Sequence, residues 1–189
     1  VTVEKDGEAV TNAVVKLNGT ELLYDETMGY ASYLSNSSGD EVELEVTHEG
    51  SIISSGRVCL PSFPGISNID SGDVHQKNTD LTINWSAVSN ATAIDVTIEE
   101  DISYEQYSSG LLPPITTSHT IPSSFFNLSS EWSDTAECVI TVTAYYGISP
   151  DVEYQSLDST NLGYNINGSA GFFMGVNGDE TTIYVPISD

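Results

Sequence analysis

Hydrophobic and polar residues alternate along much of the chain, with the period of a β-strand. The clearest case is residues 41–46, where Val42, Leu44 and Val46 share one face and three glutamates share the other. Successive side chains of a strand point to opposite faces, so this segment predicts a strand with one buried and one solvated face. Helical periodicity is nowhere sustained. The pattern therefore predicts an all-β protein built from antiparallel sheets.

Glycine-containing dipeptides separate the predicted strands. They are Asp6-Gly7, Asn18-Gly19, Met28-Gly29, Gly39-Asp40 and Asn177-Gly178. Asn and Gly tolerate the positive φ of tight turns, so these dipeptides predict turns, several of them between hairpin strands. Short strands separated by such turns are typical of β-sandwiches.

A domain boundary is predicted at residues 61–73, "PSFPGISNIDSGD". This stretch holds two prolines and two glycines and has no periodicity. We therefore expect two tandem Ig-like or fibronectin type III-like antiparallel β-sandwiches. The first would cover residues 1–62, a linker residues 63–73, and the second, with an extended C-terminal hairpin, residues 74–189.

Trp85 is predicted to lie in the core of the second domain. In "LTINW", Leu81, Ile83 and Trp85 fall on the same face of one strand. The alternation turns the tryptophan inward, so it marks a fold and not a ligand platform.

Residues 78–147 resemble a fibronectin type III module. The resemblance rests on Trp85 in "LTINWSAV", on the alternation of "IDVTI", and on "CVITVTA", where Cys138 stands at the family's aromatic position. It implies an antiparallel β-sandwich with an inward tryptophan.

The first 60 residues resemble a prealbumin-like, carboxypeptidase-regulatory type of Ig-like domain, through "GEAVTNAVVKLNG" and "YDETMGYASYL". Both module types recur in exported bacterial lipoproteins and surface proteins. The closing "GFFMGVNGDETTIYV" is similar to the ends of such proteins. These resemblances imply an exported protein at the cell surface, anchored to an outer membrane, or extracellular. They imply location more than activity.

The charge balance narrows the range of partners. Lys5, Lys16, Arg57 and Lys77 are the only basic residues against 28 acidic ones, which gives a formal net charge of -24. Such a field repels phosphates and anionic headgroups, so nucleic acid and membrane surfaces are not expected as partners. No apolar run of 18 residues predicts membrane insertion. No signal-peptide pattern opens the sequence, so we expect any export signal to have been removed.

Catalytic motifs are not found. His48, His75 and His119 are dispersed, and neither a G-x-S-x-G elbow nor an H-E-x-x-H zinc motif occurs. Glu99 to Asp101 form the densest acidic group and are predicted to be a solvated turn at the end of a strand. We therefore expect no enzyme and no required cofactor, with a hydrolase of unrecognised site as the alternative.

Two kinds of candidate ligand site occur in the sequence, and the first is a calcium site. Asn68, Asp70 and Asp73 supply the oxygen ligands that calcium prefers, and a cation there would rigidify the linker. The group Asn177 to Glu180 could also hold calcium, although a hairpin turn is the simpler interpretation.

The second candidate site is aromatic. Trp132, Tyr104 and Tyr107 could form a platform for carbohydrate, since sugars stack on exposed rings flanked by amides and carboxylates. The alternative is that the tyrosines cover sandwich edges and that Trp132 packs at the base of a loop.

Two further features are left open. Cys59 and Cys138 could form one disulfide or remain two thiols. Six N-x-[ST] sequons matter only in a glycosylating host; they begin at Asn18, Asn36, Asn84, Asn90, Asn127 and Asn167.

The expected function is that of a non-enzymatic exported module for adhesion, spacing or assembly. Its partner would be a protein or a glycan at the cell surface, or a second copy that pairs through an edge strand. A carbohydrate-binding module is the alternative.

Overall fold

The computed structural model describes residues 1–5, 8–27, 29–31, 37–128, 133–147, 166–167 and 173–187. All regular secondary structure in these ranges is β-strand. Where the register of a strand pair is defined in the described residues, the pairing is antiparallel except between β9 and β16, which are parallel. The all-β prediction is confirmed.

Sixteen strands occur in the described residues: β1 (Glu4–Lys5), β2 (Glu8–Ala9), β3 (Val14–Leu17), β4 (Thr20–Glu21), β5 (Leu23–Asp25), β6 (Gly29–Ala31), β7 (Glu41–His48), β8 (Ser51–Cys59), β9 (Asp73–Val74), β10 (Leu81–Asn84), β11 (Ala93–Glu100), β12 (Gln106–Ser108), β13 (Ser118–Ile121), β14 (Thr135–Tyr146), β15 (Ile166–Asn167) and β16 (Gly175–Pro186).

The chain divides into two compact units. The first contains Val1–Leu60 with residues 146–147, 166–167 and 173–175. Its main sheet has the order β15-β8-β7-β3-β4, and two small hairpins, β1-β2 and β5-β6, accompany it. Val15, Leu22, Tyr30, Leu44 and Val46 are the largest buried side chains of its core.

Local sequence explains the main elements of this unit. Val42, Leu44 and Val46 of β7 are buried, and Glu41 and Glu43 are exposed, so the predicted alternation is confirmed. At the β3-β4 turn, Asn18 and Gly19 have φ angles of 47° and 76°. This is the two-residue hairpin conformation that an Asn-Gly pair favours.

The second unit contains Pro61–Tyr145 and the described residues from Val176 onward. Its five-stranded sheet has the order β12-β11-β14-β16-β9, where β9 runs parallel to β16, and β10 pairs with β13 in a separate two-stranded sheet. Side chains from both sheets enter one core. Trp85 is 3% exposed in that core, as the alternation predicts.

The segment predicted as a linker packs against the second unit. Ile66 forms a β-bridge with Trp85, and Ile69 packs against the core. The first residues of β16 hold the segment: the Asn177 amide donates to the Pro61 carbonyl at 3.1 Å, and the Ile66 N–H donates to Asp179 Oδ2 at 2.7 Å.

The predicted turn at Asn177-Gly178, and with it the C-terminal hairpin turning there, is wrong. β16 continues from Gly175 to Pro186 through both residues. Gly178 does not have a positive φ, and a Cβ placed on it would lie 3.2 Å from the Val142 carbonyl oxygen of β14. Here glycine permits close approach of two strands, and pairing in the sheet overrides the local turn preference.

Candidate functional site

The second unit carries a groove of about 760 Å³ on the open face of its five-stranded sheet. We call it the acidic groove. Its floor and walls come from β12, β11, β14 and β16 and from the loop between β11 and β12. Its lining includes the floor residues Thr97, Val139 and Thr141, the carboxylates Glu99, Asp101, Glu137 and Glu180, and the rim residues Tyr104, Gln106 and Ser108.

Strand alternation places these residues. In β11 and β14, one set of alternate side chains is buried, and the other set, which is exposed or half-buried, includes Thr97, Glu99, Glu137, Val139 and Thr141 of the groove. Thr97 lies opposite Thr141, and Glu99 lies opposite Val139, in the antiparallel register. The groove floor is therefore the solvated face of the same strands whose other face forms the core.

Glu100 is a buried carboxylate that organises the loop at one end of the groove. Its side chain is 0% exposed. Its oxygens accept hydrogen bonds from the N–H groups of Ile102 at 2.7 Å, Ser103 at 2.9 Å and Glu105 at 2.9 Å. The Ser103 hydroxyl also donates to Glu100. Four donors converge on one carboxylate, which stabilises a tight turn at the end of β11.

The ionised state of Glu100 follows from these contacts. Burial would raise the pKa of this carboxyl, but the Ser103 hydroxyl and the N–H groups of Glu105, Ile102 and Ser103 outweigh it, so the net pKa is lowered. The sequence predicted a solvated acidic turn here, and for Glu100 that prediction is wrong. The alternation of β11 could have indicated this burial, because Glu100 lies on the same face of the strand as the buried Val96 and Ile98.

The loop held by Glu100 presents Tyr104. This residue has a φ of 59° and is 73% exposed. Beside it on the groove wall, the Gln106 amide donates to Glu99 Oε2 at 2.9 Å. An exposed aromatic ring, an amide and a carboxylate thus lie along one groove.

Tyr107 also lines the groove but is half-buried and anchored. Its hydroxyl lies 2.7 Å from His119 Nε2, and its ring packs edge-on against Phe125 with centroids 6.2 Å apart. This contact joins β12 of the larger sheet to β13 of the smaller one. Burial lowers the pKa of His119, and the nearby Asp95 carboxylate opposes that shift in part.

Trp132, the third aromatic candidate, lies outside the described residues.

The candidate calcium residues make contacts within the fold. The Asn68 side-chain amide donates to the Thr82 carbonyl at 2.8 Å and accepts from the Asn84 N–H at 2.7 Å, so it forms hydrogen bonds with the backbone of β10. Asp73 Oδ2 accepts from the Asp70 N–H at 3.0 Å. Among the described residues, no three His, Cys, Asp or Glu side chains are grouped as a metal-binding set.

The two cysteines are free thiols. Cys138 is buried in β14, where burial, with smaller contributions from Glu100 and two other carboxylates, raises the pKa of its thiol to about 12. Cys59, at the end of β8, is half-buried.

A second groove, of about 680 Å³, lies on the main sheet of the first unit. Lys16 Nζ lies 3.9 Å from Glu45, and Arg57 contacts both Glu41 and Glu43. These ion pairs are exposed, so each contributes little to stability. They do relieve the repulsion between the glutamates that β7 presents on one face.

Neither a family model nor a curated protein matches this sequence. In the described part of the chain, no helix is long and apolar enough to cross a membrane.

Proposed function

We propose that this protein is a non-enzymatic, exported surface module that acts in adhesion, spacing or assembly by binding a partner in the acidic groove. The observation that carries the proposal is an open groove with a 73% exposed tyrosine on its rim. Large exposed aromatic side chains beside concave surfaces are typical of recognition sites.

The shifted pKa values of Glu100 and His119 are explained by their contacts within the fold, which supports a binding role over a catalytic one. Glu100 is held by loop N–H groups, and His119 is held by Tyr107. Both side chains therefore stabilise the fold.

The proposed architecture is two tandem β-sandwiches, the second related to fibronectin type III modules and the first to prealbumin-like Ig domains. The inward Trp85 and the common core of the two sheets in the second unit support this. Export to the cell surface or beyond is proposed from the same resemblances and from the net charge of -24, which keeps a protein soluble where salt is plentiful.

Binding arrays test this proposal. The labelled full chain would be applied to peptide and glycan arrays in parallel with Tyr104→Ala and with Ile115→Ala, a matched control because Ile115 is 89% exposed and does not line the groove. We expect at least one ligand class to be retained by the wild type and the control and lost by Tyr104→Ala. Binding that survives Tyr104→Ala unchanged would contradict the proposal, as would no binding on either array.

Carbohydrate is the second candidate ligand, favoured by the Gln106 amide and Glu99 carboxylate beside Tyr104. Rings of this kind stack on sugars while amides and carboxylates bind hydroxyl groups. Glycan arrays with and without calcium would test both this ligand and the candidate calcium site at Asn68, Asp70 and Asp73. A glycan signal insensitive to Tyr104→Ala would refute the use of this groove.

A further inference from the structure

We infer that the acidic groove binds an extended, lysine- or arginine-bearing peptide segment of a partner protein. This inference rests on the proposed binding function and specifies the chemical class of the partner. Three properties of the groove support it: its charge, its dimensions and the position of Tyr104.

The charge of the lining selects a cationic partner. Glu99, Asp101, Glu137 and Glu180 line the groove, and none of its described lining residues is Lys, Arg or His. A cationic side chain placed among these carboxylates relieves their mutual repulsion, whereas a neutral sugar does not.

The basic residues with described side chains make their contacts elsewhere. Lys16 and Arg57 form ion pairs on the sheet of the first unit, and Lys77 Nζ donates to the Ile187 carbonyl at 2.9 Å. The complementary charge for the groove is therefore best supplied by a partner.

The dimensions of the groove suit an extended chain. Four neighbouring strands spaced by about 4.8 Å span roughly 14 Å, which an extended peptide of about five residues crosses. Alternate side chains of that peptide, about 7 Å apart, point to the same side and can reach carboxylates on successive strands. Glu99, Glu137 and Glu180 belong to β11, β14 and β16, which are adjacent in the sheet.

The neutral parts of the groove complete the fit. Val139 and the two floor threonines offer an uncharged surface for the aliphatic stems of lysine or arginine. The exposed ring of Tyr104 at the rim is a cation–π partner for an ammonium or guanidinium group.

The test compares three probes on the full chain by titration calorimetry at low salt. They are a Lys-Thr hexapeptide of alternating sequence, the corresponding Gln-Thr hexapeptide, and a neutral glucose hexasaccharide. We expect only the Lys-Thr peptide to bind, with an affinity that falls as salt is raised from about 50 to 300 mM.

Two double variants separate the groove from the overall charge. Glu137→Gln with Glu180→Gln removes two groove carboxylates, and Glu8→Gln with Glu49→Gln removes two exposed carboxylates of the first unit. All four side chains are exposed, so both variants should fold, and thermal melts check this. We expect the groove variant to bind the peptide about five- to tenfold more weakly and the control to bind as the wild type does.

Each other outcome overturns the inference. If both double variants bound the Lys-Thr peptide equally weakly, the peptide would be responding to the net charge of the protein and not to the groove. If the Gln-Thr peptide bound as tightly as the Lys-Thr peptide, binding would not depend on the charge of the peptide. Binding of the hexasaccharide alone would replace the peptide by a glycan and leave the proposed binding function standing. If none of the three probes bound and the arrays were blank, both the peptide inference and the proposed binding function would be wrong.

Discussion

Glu100→Gln is expected to destabilise the second unit although it is nearly isosteric. The amide keeps one oxygen acceptor and replaces the other with a donor. If the amide oxygen faces the N–H groups of Ser103 and Glu105, the new NH₂ group faces the Ile102 N–H, now 2.7 Å from Glu100 Oε2. Two donors then meet in a site that is 0% exposed.

The magnitude follows from the hydrogen bonds lost. One buried N–H without an acceptor costs about 1–3 kcal/mol, and bonds that were charge-assisted become neutral and weaker. Relief from burying a charge offsets part of this. We therefore expect the free energy of unfolding of the second unit to fall by about 2 kcal/mol.

Urea denaturation followed by tryptophan fluorescence measures this change, because Trp85 lies in the core of the second unit. With a slope near 2 kcal/mol/M, the transition midpoint would fall by about 1 M. The control is Glu99→Gln, which alters an exposed neighbour and should change stability by less than about 0.5 kcal/mol.

The pH dependence adds a second check. The folded pKa of Glu100 is lowered from 4.5, so its ionisation contributes stability above pH 4.5 that is lost as the pH falls through the folded pKa. The difference between wild type and Glu100→Gln should shrink in acid. If Glu100→Gln and Glu99→Gln had equal effects at pH 7, or if the difference grew in acid, the role assigned to this carboxylate would be wrong.

Three further predictions concern single residues. The folded pKa of His119 is lowered below 6.5, so the unfolded chain binds more protons than the folded one in mild acid. Thermal melts of the wild type should therefore show a stability that falls as the pH drops below 6.5, and His119→Gln should lack this fall. Wild-type and His119→Gln melting temperatures that change in parallel with pH would contradict this. Gly178→Ala should lower the free energy of unfolding by about 1 kcal/mol, because its Cβ would press on the Val142 carbonyl oxygen 3.2 Å away; a stabilised variant in urea melts would exclude that crowding. In the native state at pH 8, a thiol reagent should modify the half-buried Cys59 much faster than the buried Cys138, because the Cys138 thiol has a pKa of about 12. Mass spectrometry measures both rates, and equal rates would refute the buried position of Cys138.

The acidic groove was only partly predictable. Tyr104 and Tyr107 were expected to be ligand-binding candidates, and both line the groove, one exposed and one anchored by His119. Glu137 and Glu180 could not be assigned to it from the sequence. They lie on strands far apart along the chain, and only the order of strands in the sheet brings them together with Glu99.

The sequence by itself determined the features that depend on neighbouring residues. Alternation set the buried face of β7 and turned Trp85 inward, and the positive φ that Asn and Gly tolerate set the turn at Asn18-Gly19. Each of these follows from the geometry of a few consecutive residues, so no knowledge of the fold was needed.

Only the tertiary structure decided features in which distant contacts outweigh local preference. An Asn-Gly pair at positions 177 and 178 forms strand and not turn, because β16 is paired beside β14 in the sheet. A proline- and glycine-rich segment packs against a core because Asp179, 113 positions from Ile66, accepts its N–H. A glutamate at the end of β11 is buried because a loop supplies the donors that its charge requires. Local propensities are worth about 1 kcal/mol or less per residue, so several long-range contacts acting together override them.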